Sequence, residues 1–384
     1  MTLQLLLYGI AVYWLLRIAV THLRILADRW TVFPQSYAEA PANNATVSVC
    51  IPARNESAVI AGCVRDVLAQ DHPGLTQLIL VDDCSDDGTS AAAKEASAAD
   101  PRLKVVVGAG PPPGWMGKSA ACWRAQQEAR GEWLLFIDAD VRLHPRALSV
   151  ALAAAREYDA DMLSWLGQLT TATFWEHTLM PFIGDFIALT APLKKVNDRD
   201  ADDCLANGQF ILIRRSSYDA VGGHQAIRAS VVDDVSLSRA VKHHPSGDLR
   251  YVLLHSFGLM RVRMYESLGE IWAGFSKNFY AAAGEKLGWM LVGMSFVLVT
   301  SVLPFVALPW LLLSGATESA GVAALAVACV LGLRLTSRRL IPAPGWSLLL
   351  HPVAAALTVA IMFNSTLQGL GLKRPTTWKG RPVS

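Results

Sequence analysis

Apolar positions in this chain fall into two regimes. Leu3 to Val20 reads LQLLLYGIAVYWLLRIAV, an almost unbroken apolar run. That is close to the roughly 20 residues a helix needs to cross a bilayer core. Beyond Lys286 come three more apolar blocks, 287–313, 318–335 and 346–370. Pro304 and Pro309 sit in the first of them, so it is predicted to kink or to re-enter rather than run straight. Between these ends the pattern changes to short β-branched runs separated by stretches of helical period.

VSVCIP (47–52), LILV (78–81), LKVVV (103–107) and WLLFI (133–137) read as buried strands. ARNESAVIAGCVRDVLAQ follows the first with apolar residues at helical spacing, residues 89–99 are Ala-rich, and a further helix is predicted near 119–130. This βαβα alternation predicts an α/β domain with a mainly parallel sheet covered by helices on both faces. Ligands bind such sheets outside the carboxyl ends of the strands. Two acidic clusters, Asp82-Asp83 and Asp138-Ala139-Asp140, stand at strand ends of that kind.

Composition agrees with a polar domain bracketed by membrane segments, with 52% hydrophobic and 17% charged residues. A formal net charge of +2 without a basic run argues against a nucleic-acid partner. The six cysteines form no CxxC pair, which predicts reduced, mostly buried thiols and suits a cytoplasmic compartment. A signal peptide fits the first run poorly, because no basic segment precedes it and no A-x-A site follows. Arg17, Arg24 and Arg29, at or beyond its end, predict a cytoplasmic domain by the positive-inside rule. Arg334, Arg338 and Arg339 argue for a cytoplasmic turn, and Lys373, Arg374, Lys379 and Arg381 follow the last block. Three full spans would put that basic tail outside, so one block is a candidate for not crossing and the span number stays open.

Asp138 and Asp140 carry the strongest chemical signal. Two carboxylates at i and i+2 on a strand end offer hard oxygen ligands to Mg²⁺ or Mn²⁺, an ion usually completed by substrate phosphates. Its task would be to neutralise a departing diphosphate; a solvated turn is the competing reading. Asp82 and Asp83, in LILVDDCSDDGT, suit hydrogen bonds from a nucleobase or ribose, while an Asx turn closed by Gly88 explains the same residues. Asp233-Asp234 opens a helical pattern, where acidic residues complement the helix dipole or supply a general base. Gly114 to Ser119 reads GWMGKS, but Pro112 stands where a nucleotide-hydrolase P-loop needs its first glycine. Lys118 at a helix start still suits a diphosphate.

Taken together, VSVCIPARNE, LILVDDCSDDGT, LLFIDADV and VVDDVSLSRAVK, in this order over about residues 45–255, resemble the family 2 glycosyltransferases. NGQFILIRRSSYDAVGGH (207–224) is similar to that family's acceptor-side segment. The resemblance implies a GT-A nucleotide-sugar-binding fold. Pro52, Arg54 and Glu56 would line the nucleotide site and Asp82-Asp83 would face the uridine. Asp138 and Asp140 would hold the diphosphate and its metal, with Lys118 beside them, and Asp234, next to Asp233, would be the base for inversion. The layout, with PPGWMGKSAACW and apolar segments at both ends, looks most like hopanoid-associated and carotenoid-type lipid glycosyltransferases. The (Q/R)-x-x-R-W motif of processive relatives is missing. Residues 261–284 read RVRMYESLGEIWAGFSKNFYAAAG instead, where Arg261, Arg263 and Lys277 are candidates for its charge, with an interfacial amphipathic helix as the competing reading.

The expected organisation is an anchor at 1–26, a GT-A domain at 45–255, an interfacial amphipathic segment at 256–286 and a membrane region at 287–372. Acceptor specificity is expected in loops such as 165–205. The expected activity is inverting transfer from a nucleotide-sugar, UDP-linked by preference, to a membrane lipid. Transfer to a polyprenyl phosphate and a non-catalytic membrane scaffold are the rivals. A transporter is disfavoured by the few apolar blocks and the lack of an acidic residue within 287–370 apart from Glu318 at a block's edge.

Overall fold

The computed structural model describes residues 2–26, 29–38, 44–190, 193–338, 341–373, 377–378 and 381–382. Arg339, Arg374 and Lys379 of the basic flanks lie outside these. The chain divides into two compact units.

The first unit comprises Trp30–Gln168 and Ala191–Met264. It is built on a nine-stranded sheet: β1 (Thr31–Val32), β2 (Val47–Ala53), β3 (Leu75–Asp82), β4 (Leu103–Val107), β5 (Trp133–Ile137), β6 (Val141–Leu143), β7 (Met162–Leu169), β8 (Phe210–Arg214) and β9 (Tyr251–Val262). The strand order is β1-β9-β7-β8-β5-β2-β3-β4, with β6 pairing β9. The four strands foreseen from their apolar runs are β2, β3, β4 and β5, and they pair in parallel. Their alternating residues feed two cores. Val49, Ile51, Leu78, Leu80, Leu135 and Ile137 pack with the Ile60–Leu68 and Ala147–Glu157 helices. Cys50, Ile79, Val81, Leu134 and Phe136 pack on the other face with Ala121, Cys122 and Ala125 of the Gly117–Glu128 helix. Burial of both faces explains why these strands read as continuous apolar runs rather than as an alternation.

Two topological features position the site. Strands β3 and β4 lie to one side of β2 and β5 to the other, so the crevice between β2 and β5 is a switch point of the kind where α/β sheets bind ligands. Strand β8 runs antiparallel to β5, with Phe210 opposite Ile137. The segment entering β8 therefore meets the residues leaving β5.

The sheet reaches beyond 45–255 at both ends. Thr31 pairs with His255 of β9 in parallel, and β9 continues to Val262. Residues 256–262, read as part of an interfacial segment, are strand because Leu259, Met260 and Val262 enter the core while Arg261 faces out opposite Arg142. Only Leu268–Ala282 is the helix foreseen there, started by Ser267, whose Oγ accepts the Glu270 N–H at 3.2 Å.

The second unit comprises Met1–Arg29, Leu169–Thr190 and Tyr265–Ser384 and is helical. Among its described residues, three stretches are long and apolar enough to cross a membrane: Leu3–Val20, Leu287–Leu313 and Thr317–Thr336. The block 346–370 is not among them. Its helix, His351–Gly369, buries the polar residues Thr358, Asn364, Ser365 and Thr366, and it is fastened to the Leu268–Ala282 helix. Ser365 Oγ accepts the Tyr280 N–H at 2.9 Å and Asn364 Nδ2 donates to Ser276 Oγ at 2.8 Å. The expected kink at Pro304 takes the form of a π-helical turn, Leu298–Val302. Proline has no N–H for the carbonyl four residues back, which is Thr300. Trp14 Nε1 donates to that carbonyl instead, at 3.0 Å. Residues 165–205 are less loop than expected, since Phe174–Thr190 is a 17-residue helix of this second unit.

Candidate active site

The loops leaving β2 and β3 are stitched to each other. Asn55 N–H donates to Ser85 Oγ at 2.9 Å, Glu56 N–H to Thr89 Oγ1 at 2.8 Å and Ser57 N–H to Asp87 Oδ2 at 2.9 Å. Asn55 and Cys84 adopt left-handed φ of 53° and 58°, so both chains turn sharply at this seam. Asp82 braces the turn. Its Oδ1 accepts the Ser85 N–H at 2.9 Å and its Oδ2 accepts the Ser90 hydroxyl. Although burial pushes its pKa up, these hydrogen bonds outweigh it and hold Asp82 below the usual carboxylate range. Asp87 accepts Thr89 N–H at 3.0 Å and shapes the same turn. Both expected roles of DDCSDDGT, turn and ligand face, thus have residues available. Asp83 is buried at the edge of β3, and its carbonyl accepts Arg54 Nη1 at 2.7 Å. Pro52 is half-buried opposite Val81, two residues past the last β2–β5 pair, Cys50 with Phe136. Having no N–H to offer, it sits where the sheet opens into the crevice.

Asp138 and Asp140 leave the end of β5, where the antiparallel β8 brings Gly208 and Gln209 alongside. Lys118, in the first turn of the Gly117–Glu128 helix, places Nζ 2.6 Å from Asp138 Oδ1. Burial works against a charged lysine, but Asp138 and then Asp233 outweigh it and hold Lys118 protonated. Asp140 has the opposite problem. Burial first, then Asp138 and Glu56, push its pKa up to about 7, and its buried Oδ1 finds no hydrogen-bond partner among the described residues. A lone carboxylate oxygen without a partner, in a cluster of three acids, is an environment that a cation relieves. No group of three or more His, Cys, Asp or Glu at metal-binding spacing occurs among the described residues. The pair suits Mg²⁺ or Mn²⁺, whose remaining ligands are diphosphate oxygens and water.

Asp233 and Asp234 open the Asp233–Lys242 helix. Asp234 Oδ2 accepts the Gly208 N–H at 2.9 Å and Oδ1 accepts the Val235 N–H at 2.8 Å. Burial first, then Asp233, push Asp234 up to about 6. A carboxylate held there is near the pH at which a general base works well. Gly208 is where these groups meet, for a Cβ on it would stand 2.9 Å from Lys118 Nζ and 3.5 Å from Asp234 Oδ2.

Residues that the sequence reading missed support this centre from behind. His224 shares a 2.9 Å hydrogen bond with Tyr218 and packs edge-on against Phe136 of β5. Burial pushes its pKa down to about 4 and keeps the ring neutral. Met116 N–H donates to Arg228 O at 2.7 Å, tying the GWMGKS loop to the segment before the Asp233–Lys242 helix. Both Gly208 and His224 lie in the 207–224 segment similar to the family's acceptor side, but nothing in that stretch singled out either residue.

Residues 48–222 match the family model described as Glycosyl transferase family 2. The 4,4'-diaponeurosporenoate glycosyltransferase of Staphylococcus aureus (strain MRSA252) is 26% identical over 250 residues, 63% of this chain and 63% of that protein. Its counterpart in strain USA300 is 25% identical with the same coverage. The match thus spans about 63% of the length of these relatives. Among solved structures, the mannosyltransferase PcManGT of Pyrobaculum calidifontis, in complex with GDP-Man and Mn²⁺, aligns with a TM-score of 0.51 at 16% identity. That alignment covers 96% of this chain and 99% of the other, a likeness of fold. Sequence match and architecture agree: residues 48–222 are similar to the family 2 glycosyltransferases, and the unit that holds them has the GT-A type α/β fold.

Proposed function

We propose that this protein transfers a sugar, with inversion, from a nucleoside-diphosphate donor to an apolar lipid acceptor at a membrane. The observation that carries the reading is the meeting at Gly208 of Lys118, Asp138 and Asp234, which are far apart in sequence. Arg54, Asp83 and the stitched loops after β2 and β3 receive the nucleotide, with Pro52 and Glu56 on the same rim, and a UDP-linked donor is the first choice. Asp138 and Asp140 hold the divalent ion, which when bound offsets the charge of the leaving diphosphate. Lys118 adds a second positive charge to the same oxygens. Asp234, aided by the negative charge of Asp233, takes the proton from an acceptor hydroxyl. The acceptor oxygen then forms its bond to the anomeric carbon as the bond from that carbon to the diphosphate breaks, so the nucleoside diphosphate departs on the opposite face. An acceptor that is already a carboxylate needs no proton removed, and Asp234 would then orient it through a shared proton.

Relatives named for a carotenoid acid, and three helices able to cross a bilayer, support an acceptor that stays in the membrane. Moving such a molecule into water costs about 0.8 kcal/mol per CH₂. We place the α/β unit on the cytoplasmic side by the arginines after the first apolar run, with 1–26 as anchor and 287–372 as membrane region. The test is incorporation of radiolabelled sugar from UDP-sugars into solvent-extractable lipid by the full chain with Mn²⁺ or Mg²⁺. Label in lipid that disappears in Asp138→Ala/Asp140→Ala supports the reading. A folded protein that binds no nucleotide and labels no lipid with any nucleotide-sugar overturns it.

A further inference from the structure

The helical unit contains a cluster of ionisable side chains for which the transfer reaction has no use. Four helices each contribute one: Arg17 from Thr2–Leu26, Asp185 from Phe174–Thr190, Arg334 from Thr317–Ser337 and His351 from His351–Gly369. They line one cavity of about 40 Å³ whose other walls include Phe182, Phe296 and Ser301. Arg334 is 3% exposed and its Nη1 lies 3.3 Å from Asp185 Oδ2. His351 is 2% exposed, stacks on Phe305 and edges Phe182, yet neither ring nitrogen has a hydrogen-bond partner among the described residues. Ser301 belongs to the π-helical turn, and such turns recur at functional sites.

Charged groups inside apolar helices are expensive and usually mark a bound or transported group. A buried imidazole left without partners carries a desolvation cost that a leucine would not. We propose that this cavity is a binding site for a carboxylate, the head of a long-chain apolar acid. The lining sets two guanidinium groups against one carboxylate, which favours an anion over a cation. The volume admits about three water-sized groups, matching the three heavy atoms of a carboxylate and too few for a phosphodiester with its ester oxygens. His351 donates one N–H to the bound oxygen, and the chain leaves the cavity on its open side.

This inference rests on the proposed function only in taking an apolar acid as the lipid. The experiment is fluorescence titration of the full chain in non-ionic detergent with cis-parinaric acid and with its methyl ester. The acid is expected to bind saturably and the ester at least tenfold more weakly. His351→Leu should weaken the acid at least tenfold while leaving the melting temperature unchanged or higher, and leaving UDP binding unchanged. Asp185→Asn, which removes the one negative charge of the lining, should tighten it. Equal binding of acid and ester, or acid binding unaltered in His351→Leu, overturns the site. If the acid is the acceptor it is recovered as a sugar ester, and if it is a resident lipid it is recovered unmodified; either supports the site. Acid binding without sugar transfer to any lipid would sink the proposed activity and leave the cavity's role standing, and transfer without acid binding would do the reverse.

Discussion

The two units use charge in opposite settings. In the α/β unit the acidic residues sit at strand ends and on a helix tip, where backbone N–H groups and Lys118 meet them. In the helical unit the charges are isolated within long apolar stretches and converge from four helices on one small cavity. The first arrangement draws on a solvated edge and a fold that aims backbone donors at it. The second must satisfy each charge with another side chain or a ligand, since the apolar surroundings provide nothing else. A substitution should therefore cost mainly rate in the first unit and mainly stability in the second.

The largest expected effect tests the first half of that contrast. Asp234→Asn keeps the size of the side chain and an acceptor for the Gly208 N–H, but it removes the base. Sugar transfer to a hydroxyl acceptor should fall about 10²–10⁴-fold, read from initial rates with saturating donor, with a melting temperature unchanged or higher at neutral pH. Full activity in this variant would remove Asp234 from the chemistry. It would also leave the hydrogen bond to Gly208 as the residue's whole purpose.

The second half is tested at Arg334. Arg334→Leu removes the buried guanidinium that pairs with Asp185, and breaking a buried pair in this way typically costs about 3–5 kcal/mol. The lower end is expected, because Asp185 retains 21% exposure. Arg334→Leu/Asp185→Leu should recover most of the loss, because the two charges of the pair are removed together. Thermal melts in detergent would show both effects. Equal melting temperatures for wild type and the single variant would mean that water already reaches the pair.

How much of this was legible beforehand follows from the same contrast. β3 and β5 end in acidic residues after short apolar runs, so both strand and site could be read from adjacent positions, and Asp138 and Asp140 stood out together. Asp234 could not be read so, because a helix-tip acid looks the same whether it caps or catalyses; the family resemblance supplied its role. Gly208 became important only through the antiparallel register of β8 on β5, a pairing between segments over 70 residues apart. Asp185, Arg334 and His351 were harder still. Each is a lone polar residue in its own helix, and Arg334 even read as part of a basic flank, whereas it is buried against Asp185. No periodicity connects residues whose meeting depends on helix packing.

Asp140 belongs to the first unit but sits in a setting more like the second, and so sharpens the comparison. Its pKa rises from 3.8 to about 7 on folding, through burial and then Asp138 and Glu56. A carboxyl of this kind binds its proton more tightly in the folded protein than in the unfolded one. The metal-free protein should therefore lose stability as pH climbs from about 4 through about 7. Asp140→Asn should flatten that part of the profile and raise the melting temperature at pH 8. Wild type with Mn²⁺ should show the same flattening, because the ion takes over the neutralising role of the proton. A variant whose profile still falls as steeply would place the slope at another acid, with Asp234 the next candidate.

The smallest effect lies at the start of the Leu268–Ala282 helix, which uses neither kind of charge setting. Ser267 Oγ accepts the Glu270 N–H at 3.2 Å, and Glu270 Oε2 reaches back to the Glu266 N–H at 2.9 Å. One donor of the first turn and one just before the helix are thereby satisfied by side chains, close to the pattern of a capping box. Ser267→Ala should cost about 1 kcal/mol, as N-cap substitutions do, and leave transfer unchanged. The value lies in that separation. If so modest a loss of helix stability lowered sugar transfer in proportion, the residues 268–282 would be working parts of the reaction, and the division into a rate-sensitive unit and a stability-sensitive unit would fail at this helix. If transfer held steady, the rate would depend on the strand-end acids and the helix tip at Asp234, whose positions come from the sheet alone.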